Sequence, residues 1–133
     1  MSESAILCVD DEVVILDSLK EQLKREFGDR FIYEVAESAE EAWEVIEELH
    51  QEQIQVIAIV SDWLMPGTKG DEFLIQIHQR FPDLVTVMLT GQADKEAIAR
   101  ATQQANLHAC LHKPWTEKEL TQIITSAIDE ESS

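Results

Sequence analysis

The sequence predicts an α/β fold: a doubly wound sheet of five parallel strands with helices on both faces. Three observations predict it. Short apolar runs of strand length recur along the chain, most of them rich in Val and Ile. The stretches between them carry apolar residues at helical spacing. The order is regular, strand then helix, five times over. That rhythm implies a parallel sheet covered on both sides, and right-handed crossovers restrict how it winds.

The first strand is expected over 5–9 and the first helix over 12–27. Leu16, Leu19, Leu23 and Phe27 share one helical face there, and Gly28 supplies a C-terminal stop. A second strand, 31–36, leads to a helix over 39–51. Ser38 and Glu41 form its capping box, and Ala42, Val45, Ile46 and Leu49 form its apolar stripe. The third strand, 54–61, precedes a helix over 71–80 with Phe73, Leu74, Ile77 and Phe81 inward and Pro82 ending it. The fourth pair is 84–89 and 94–105. That helix offers only Ala97, Ile98, Ala101 and Ala105 for burial and is the least apolar of the five. The fifth strand, 108–112, leads to a helix over 117–128. Thr116 and Glu119 cap it, and Leu120, Ile123, Ile124, Ala127 and Ile128 are its buried stripe.

At 133 residues the chain is expected to be one domain, with its core over about 4–128. It carries 10 Lys+Arg against 27 Asp+Glu, a net charge of −17. Such a surface repels phosphates, which argues against direct binding of nucleic acid or anionic membrane. No apolar run approaches the roughly 18 residues of a membrane span, and no signal peptide opens the sequence. The two cysteines, Cys8 and Cys110, fit reduced thiols in a cytoplasm. They fall on the first and fifth strands and are not expected to pair.

In doubly wound sheets ligands bind beyond the carboxyl ends of the strands. Asp10 and Asp11 follow the first strand, Asp62 the third, Thr90-Gly91 the fourth and Lys113-Pro114 the fifth. Three carboxylates at one edge repel each other unless a cation neutralises them, and hard oxygen ligands suit Mg²⁺. Asp62 is then a candidate nucleophile toward a phosphoryl group. Lys113 and the Thr90 hydroxyl are placed to bind two of its oxygens, and Mg²⁺ to hold the third. Each residue has a plainer reading when taken alone. Asp11 favours a helix N-terminus, Thr90 suits a turn before Gly91, and Asp62 and Lys113 are ordinary surface charges.

Taken in order, Asp10-Asp11, Asp62 in Asp-Trp-Leu-Met-Pro-Gly, Thr90 and Lys113-Pro114 resemble the receiver domain of two-component response regulators. The resemblance covers nearly the whole chain and implies the flavodoxin-like strand order 2-1-3-4-5. It implies that Asp62 accepts a phosphoryl group from a histidine kinase or phosphotransfer protein. It further implies that Asp11 ligates Mg²⁺ directly and Asp10 mainly through water. The Leu64 carbonyl adds a ligand, Thr90 acts as the switch hydroxyl, and the bond before Pro114 is cis. The face built by the fourth helix, fifth strand and fifth helix becomes the output surface, with a homodimer as the expected use. The low-apolarity fourth helix should move most cheaply.

Some residues depart from the family pattern. Cys110 stands where members often carry Tyr or Phe, and a thiol is too small to fill an aromatic's volume; Trp115 and His108 are the candidates to supply the bulk. Leu64 and Gln92 occupy positions that tune phosphoryl lifetime. Leu64 cannot orient a water, which leads to an expected slowly hydrolysing aspartyl phosphate. The segment 34–52 holds eight Glu and no Lys or Arg, a solvated face or a docking site. His50, His78, His108 and His112 show no metal-ligand spacing. Trp63 is expected to border the site. Two rivals remain. One is a haloacid-dehalogenase-like phosphatase, disfavoured because Leu64 stands where its second acid would be. The other is a degenerate receiver that binds partners without phosphorylation.

Overall fold

The computed structural model describes residues 3–63, 67, 69–91 and 95–132. The strands are β1 Ser4–Val9, β2 Ile32–Ala36, β3 Gln55–Asp62, β4 Val85–Thr90 and β5 Ala109–His112. The helices are α1 Val13–Phe27, α2 Ala39–Gln51, α3 Gly70–Arg80, α4 Lys95–Gln104 and α5 Glu117–Ser132. A short 3-10 turn, Gly28–Arg30, was not expected. The sheet runs β2-β1-β3-β4-β5, with every pairing parallel. It is the flavodoxin-like order expected.

Side-chain alternation along the strands sorts the core into two layers. Ile6 and Cys8 of β1, Val60 of β3 and Val87 and Leu89 of β4 face α1 and α5, which contribute Leu16, Leu19, Leu23, Leu120 and Ile124. Leu7 and Val9, Ile59 and Met88 face the other way, onto Ala42 and Ile46 of α2, Phe73, Leu74 and Ile77 of α3 and Ala101 of α4. Each large side chain fully buried in these layers contributes about 1.5–3 kcal/mol. The parallel strands are buried on both faces, so they read as apolar runs.

Local signals start and stop the helices. Glu41 N donates to Ser38 Oγ at 3.1 Å, capping α2. Ahead of α5 the box is reciprocal: Glu119 N donates to Thr116 Oγ1 at 3.1 Å, and Thr116 N to Glu119 Oε1 at 3.1 Å. Gly28, at φ 56°, accepts the left-handed turn that ends α1. α3 stops before Phe81, which sits at φ −130°, the extended backbone favoured ahead of Pro82.

Several boundaries differ from expectation. β3 and β4 each run one residue further, to Asp62 and Thr90, because the ladder continues past them. Trp63 N donates to Leu89 O at 2.9 Å, and Lys113 N to Thr90 O at 2.8 Å. β5 begins at Ala109, although His108 N already donates to Thr86 O. Ala105 leaves α4, and Asn106 turns left-handed at φ 50°. α5 continues to Ser132, beyond its apolar stripe, since each added residue still gains one helical hydrogen bond. The expected α4 start at Asp94 lies outside the described residues. No helix among the described residues is long and apolar enough to cross a membrane.

Candidate functional site

Three strands deliver the acidic cluster. Asp10 follows β1 directly and is fully buried; its amide donates to Ala36 O at 3.1 Å, and its Oδ1 accepts from Glu12 N at 2.8 Å. That bond takes the place of a side-chain cap on α1. Asp11 is exposed beside it. Asp62, the last residue of β3, is buried. One carboxylate oxygen from each of the three lies within 4.8 Å of the others.

Lys113 reaches this cluster from the end of β5. Its Nζ donates to Asp10 Oδ2 at 2.9 Å and to Asp62 Oδ1 at 3.2 Å. The Lys113–Pro114 peptide is cis, as the resemblance implied. Thr90 ends β4 at the same edge, buried, and its carbonyl accepts from Lys113 N. The structure thus brings Asp10, Asp11, Asp62 and Lys113 together and sets Thr90 on the neighbouring strand end. Leu64, the expected carbonyl ligand, and Gln92 lie outside the described residues.

Electrostatics follow from this crowding. Burial, then the charge of Asp10, push the Asp62 carboxyl above its ordinary value; Lys113 opposes the rise and Asp11 adds to it. Burial on its own would lower the Lys113 ammonium. The hydrogen bond and charge of Asp10, followed by those of Asp62, outweigh it and hold Lys113 above its ordinary value. The Asp62 carboxylate therefore sits among like charges, with one ammonium bridging two of them. Its donor set of hard, clustered oxygens, one of them solvent-facing, fits a divalent cation of the Mg²⁺ kind.

The departures resolve in part. Trp115 packs toward α1, and its Nε1 donates to Gln22 Oε1 at 2.8 Å, so it does not fill the space beside Cys110. His108 shares the Cys110 side of β5 by strand alternation. Cys8 and Cys110 are both free; burial pushes the Cys8 thiol up to about 12 and raises Cys110 as well, so neither is an activated thiolate. Trp63 follows Asp62 in sequence, but its ring packs against the core on the α2–α3 side. A groove of about 710 Å³, lined by Ile54, Val56, Phe81 and Leu84, lies at the opposite edge of the sheet from the carboxylates.

Two positions were not singled out from sequence. Gly70 opens α3 against the end of β3: a Cβ there would lie 2.0 Å from the Asp62 carbonyl oxygen and 2.7 Å from Trp63 Cα. Its amide donates to Trp63 O at 2.7 Å. Asp71, taken from sequence only as the expected first residue of α3, is buried and pairs with Arg100 of α4. A glycine directly before a helix start was the available signal for the first. Nothing local signalled the second.

Comparisons with known proteins agree with this geometry. The family model described as "Response regulator receiver domain" matches residues 6–125. The hydrogenase transcriptional regulatory protein HoxA of Cupriavidus necator is 32% identical over 127 residues, covering 96% of this chain and 24% of that protein. The chain therefore spans about a quarter of that relative. A CheY-like response regulator receiver domain protein from Methanospirillum hungatei superposes with TM-score 0.84 at 30% identity, covering 98% of both chains. The beryllofluoride-activated NtrC4 receiver domain dimer superposes with TM-score 0.82 at 28% identity, covering 96% of this chain and 98% of that one.

Proposed function

The chain belongs to the family of response regulator receiver domains of two-component systems, and from that premise we propose that Asp62 is its phosphoacceptor. The observation that carries this reading is the meeting of three carboxylates with the Lys113 ammonium, 2.9 Å from Asp10 and 3.2 Å from Asp62. In the proposed step an Asp62 oxygen attacks the phosphorus of a phosphohistidine on a kinase or phosphotransfer protein. A P–O bond forms, the P–N bond breaks, and the imidazole leaves with its electron pair and takes up a proton.

Asp10, Asp11 and Asp62, with the carbonyl of Leu64, are the proposed ligands of Mg²⁺. Bound there, the ion supplies charge neutralisation at the transferring phosphoryl group. Lys113 releases part of its hold on Asp62 and binds a phosphoryl oxygen. Thr90 Oγ1 donates to another, which couples the acceptor to the β4–α4 connection. The partner is proposed to approach over Val13 and Val14, which are 52% and 75% exposed beside Asp11. The face of α4, β5 and α5 is the proposed output surface and, by analogy with the NtrC4 dimer, a homodimer contact. A cytoplasmic setting fits the two free thiols.

The test is incubation with Mg²⁺ and acetyl phosphate, read by intact mass. One added phosphoryl group on the wild-type chain and none on Asp62→Asn is the expected result. No gain, or an equal gain in both, overturns the reading.

A further inference from the structure

The strongest unassigned feature is a buried carboxylate away from the acceptor cluster. Asp71, in the first turn of α3, has a side chain only 6% exposed. One oxygen, Oδ2, accepts from Arg100 Nη1 of α4 at 3.4 Å; the other, Oδ1, is buried without a partner among the described residues. A buried carboxylate half-satisfied in this way is held at a cost, and its one charged contact among the described residues crosses to another helix. The helix N-terminus favours a carboxylate here, but it does not explain why that carboxylate is enclosed beneath α4.

Asp71 cannot retreat from that position. Gly70 beside it is packed on the Asp62 carbonyl so closely that no Cβ would fit. The backbone carrying Asp71 is therefore fixed to the end of β3. The same junction leaves Trp63 Nε1 buried without an acceptor among the described residues. α4 is held differently. Its apolar anchorage is small, with Ala101 fully buried and Ile98 partly buried. Just past its C-terminus, Thr86 Oγ1 donates to Ala105 O at 3.4 Å, and His108 N donates to Thr86 O at 2.8 Å. The helix is thus tethered at its far end by β4 and in its body by Arg100.

We infer that the Asp71–Arg100 pair is a latch that holds α4 in its resting place and so sets the threshold for switching. It rests on the reading of Asp62 as phosphoacceptor. The long 3.4 Å contact and the half-exposed guanidinium make it a weak tether, suited to release. Loosening it shifts the resting population toward the displaced α4 arrangement. A phosphoryl donor that reacts preferentially with that arrangement then reacts faster.

The experiment uses the full chain without phosphodonor first. Backbone amide exchange over residues 95–104 should be about threefold faster in Arg100→Gln than in wild type, as expected for losing one half-exposed ion pair. Exchange in α2 should not change. Arg100→Lys should restore most of the protection, and Asp71→Asn combined with Arg100→Gln should add little to either alone. Phosphorylation by acetyl phosphate should also rise about threefold in Arg100→Gln. Unchanged α4 exchange, or equal acceleration in α2, overturns the latch. A chain that takes up no phosphoryl group overturns the phosphoacceptor reading instead, while the exchange comparison still judges the latch.

Discussion

Asp62→Asn should stabilise the cation-free protein. At an effective dielectric constant of about 20, an ammonium 3.2 Å from the Asp62 carboxylate attracts it by about 5 kcal/mol. A carboxylate of Asp10 no more than 4.8 Å away repels it by about 3.5 kcal/mol at least. The exposed charge of Asp11 and the cost of burying Asp62 lie on the repulsive side, and with them the ionised form is disfavoured. Asparagine keeps the shape and removes the charge. The sign with pH follows from the raised carboxyl. The folded chain binds this proton more tightly than the unfolded chain, so the advantage of Asp62→Asn is absent below the ordinary value of 3.8. It grows as pH rises through the folded value and is complete above it. Urea unfolding followed by tryptophan fluorescence at pH 4 and pH 7.5, without divalent cation, reads the difference. Mg²⁺ at ten times its dissociation constant should then stabilise wild type by about 1.4 kcal/mol and the variant much less. A variant no more stable than wild type at pH 7.5, or a gain equal at both pH values, would refute the reasoning.

Lys113→Met should destabilise the cation-free chain by about 2–3 kcal/mol, because Asp10 and Asp62 lose the ammonium bridging them. Since Lys113 is held above its ordinary 10.5, that contribution is full below 10.5 and fades as pH rises through the folded value; urea midpoints at pH 7.5 and 11 check both statements. Gly70→Ala forces a Cβ against backbone at 2.0 Å and 2.7 Å, so a loss of about 3 kcal/mol is expected in thermal unfolding, with slower phosphorylation by acetyl phosphate. An unchanged midpoint would show that the α3 start can shift freely.

The legible parts of this molecule are those whose cause is local. Ser38 with Glu41, and Thr116 with Glu119, cap α2 and α5 because the bonding atoms are three residues apart. The strand runs stood out because both faces of a parallel sheet are buried, and the acidic edge stood out because each residue follows an apolar run. What was misplaced depends on partners distant in sequence. Asp62 and Thr90 belong to their strands because β4 and β5 supply ladder bonds beside them. Gly70 is required by the Asp62 carbonyl, eight positions earlier. Asp71 looks like a solvated helix-start acid until α4, twenty-nine positions on, closes over it.

The charge distribution bears on the proposed output surface. Eight Glu lie in 34–52 with no Lys or Arg among them, so two copies approaching through α2 repel each other. Residues 95–128 hold Lys95, Arg100, Lys113 and Lys118 against Glu96, Glu117 and Glu119, a net of +1 in a chain of net −17. That stretch builds α4, β5 and most of α5. Of its four cations, Lys113 is committed to the acceptor cluster and Arg100 to Asp71. Release of the Asp71–Arg100 contact would free one guanidinium on this face. A phosphoryl signal at Asp62 would then change the charge as well as the shape of the proposed output surface, and association of two copies through it, each of net charge −17, should strengthen with added salt, which screens their mutual repulsion.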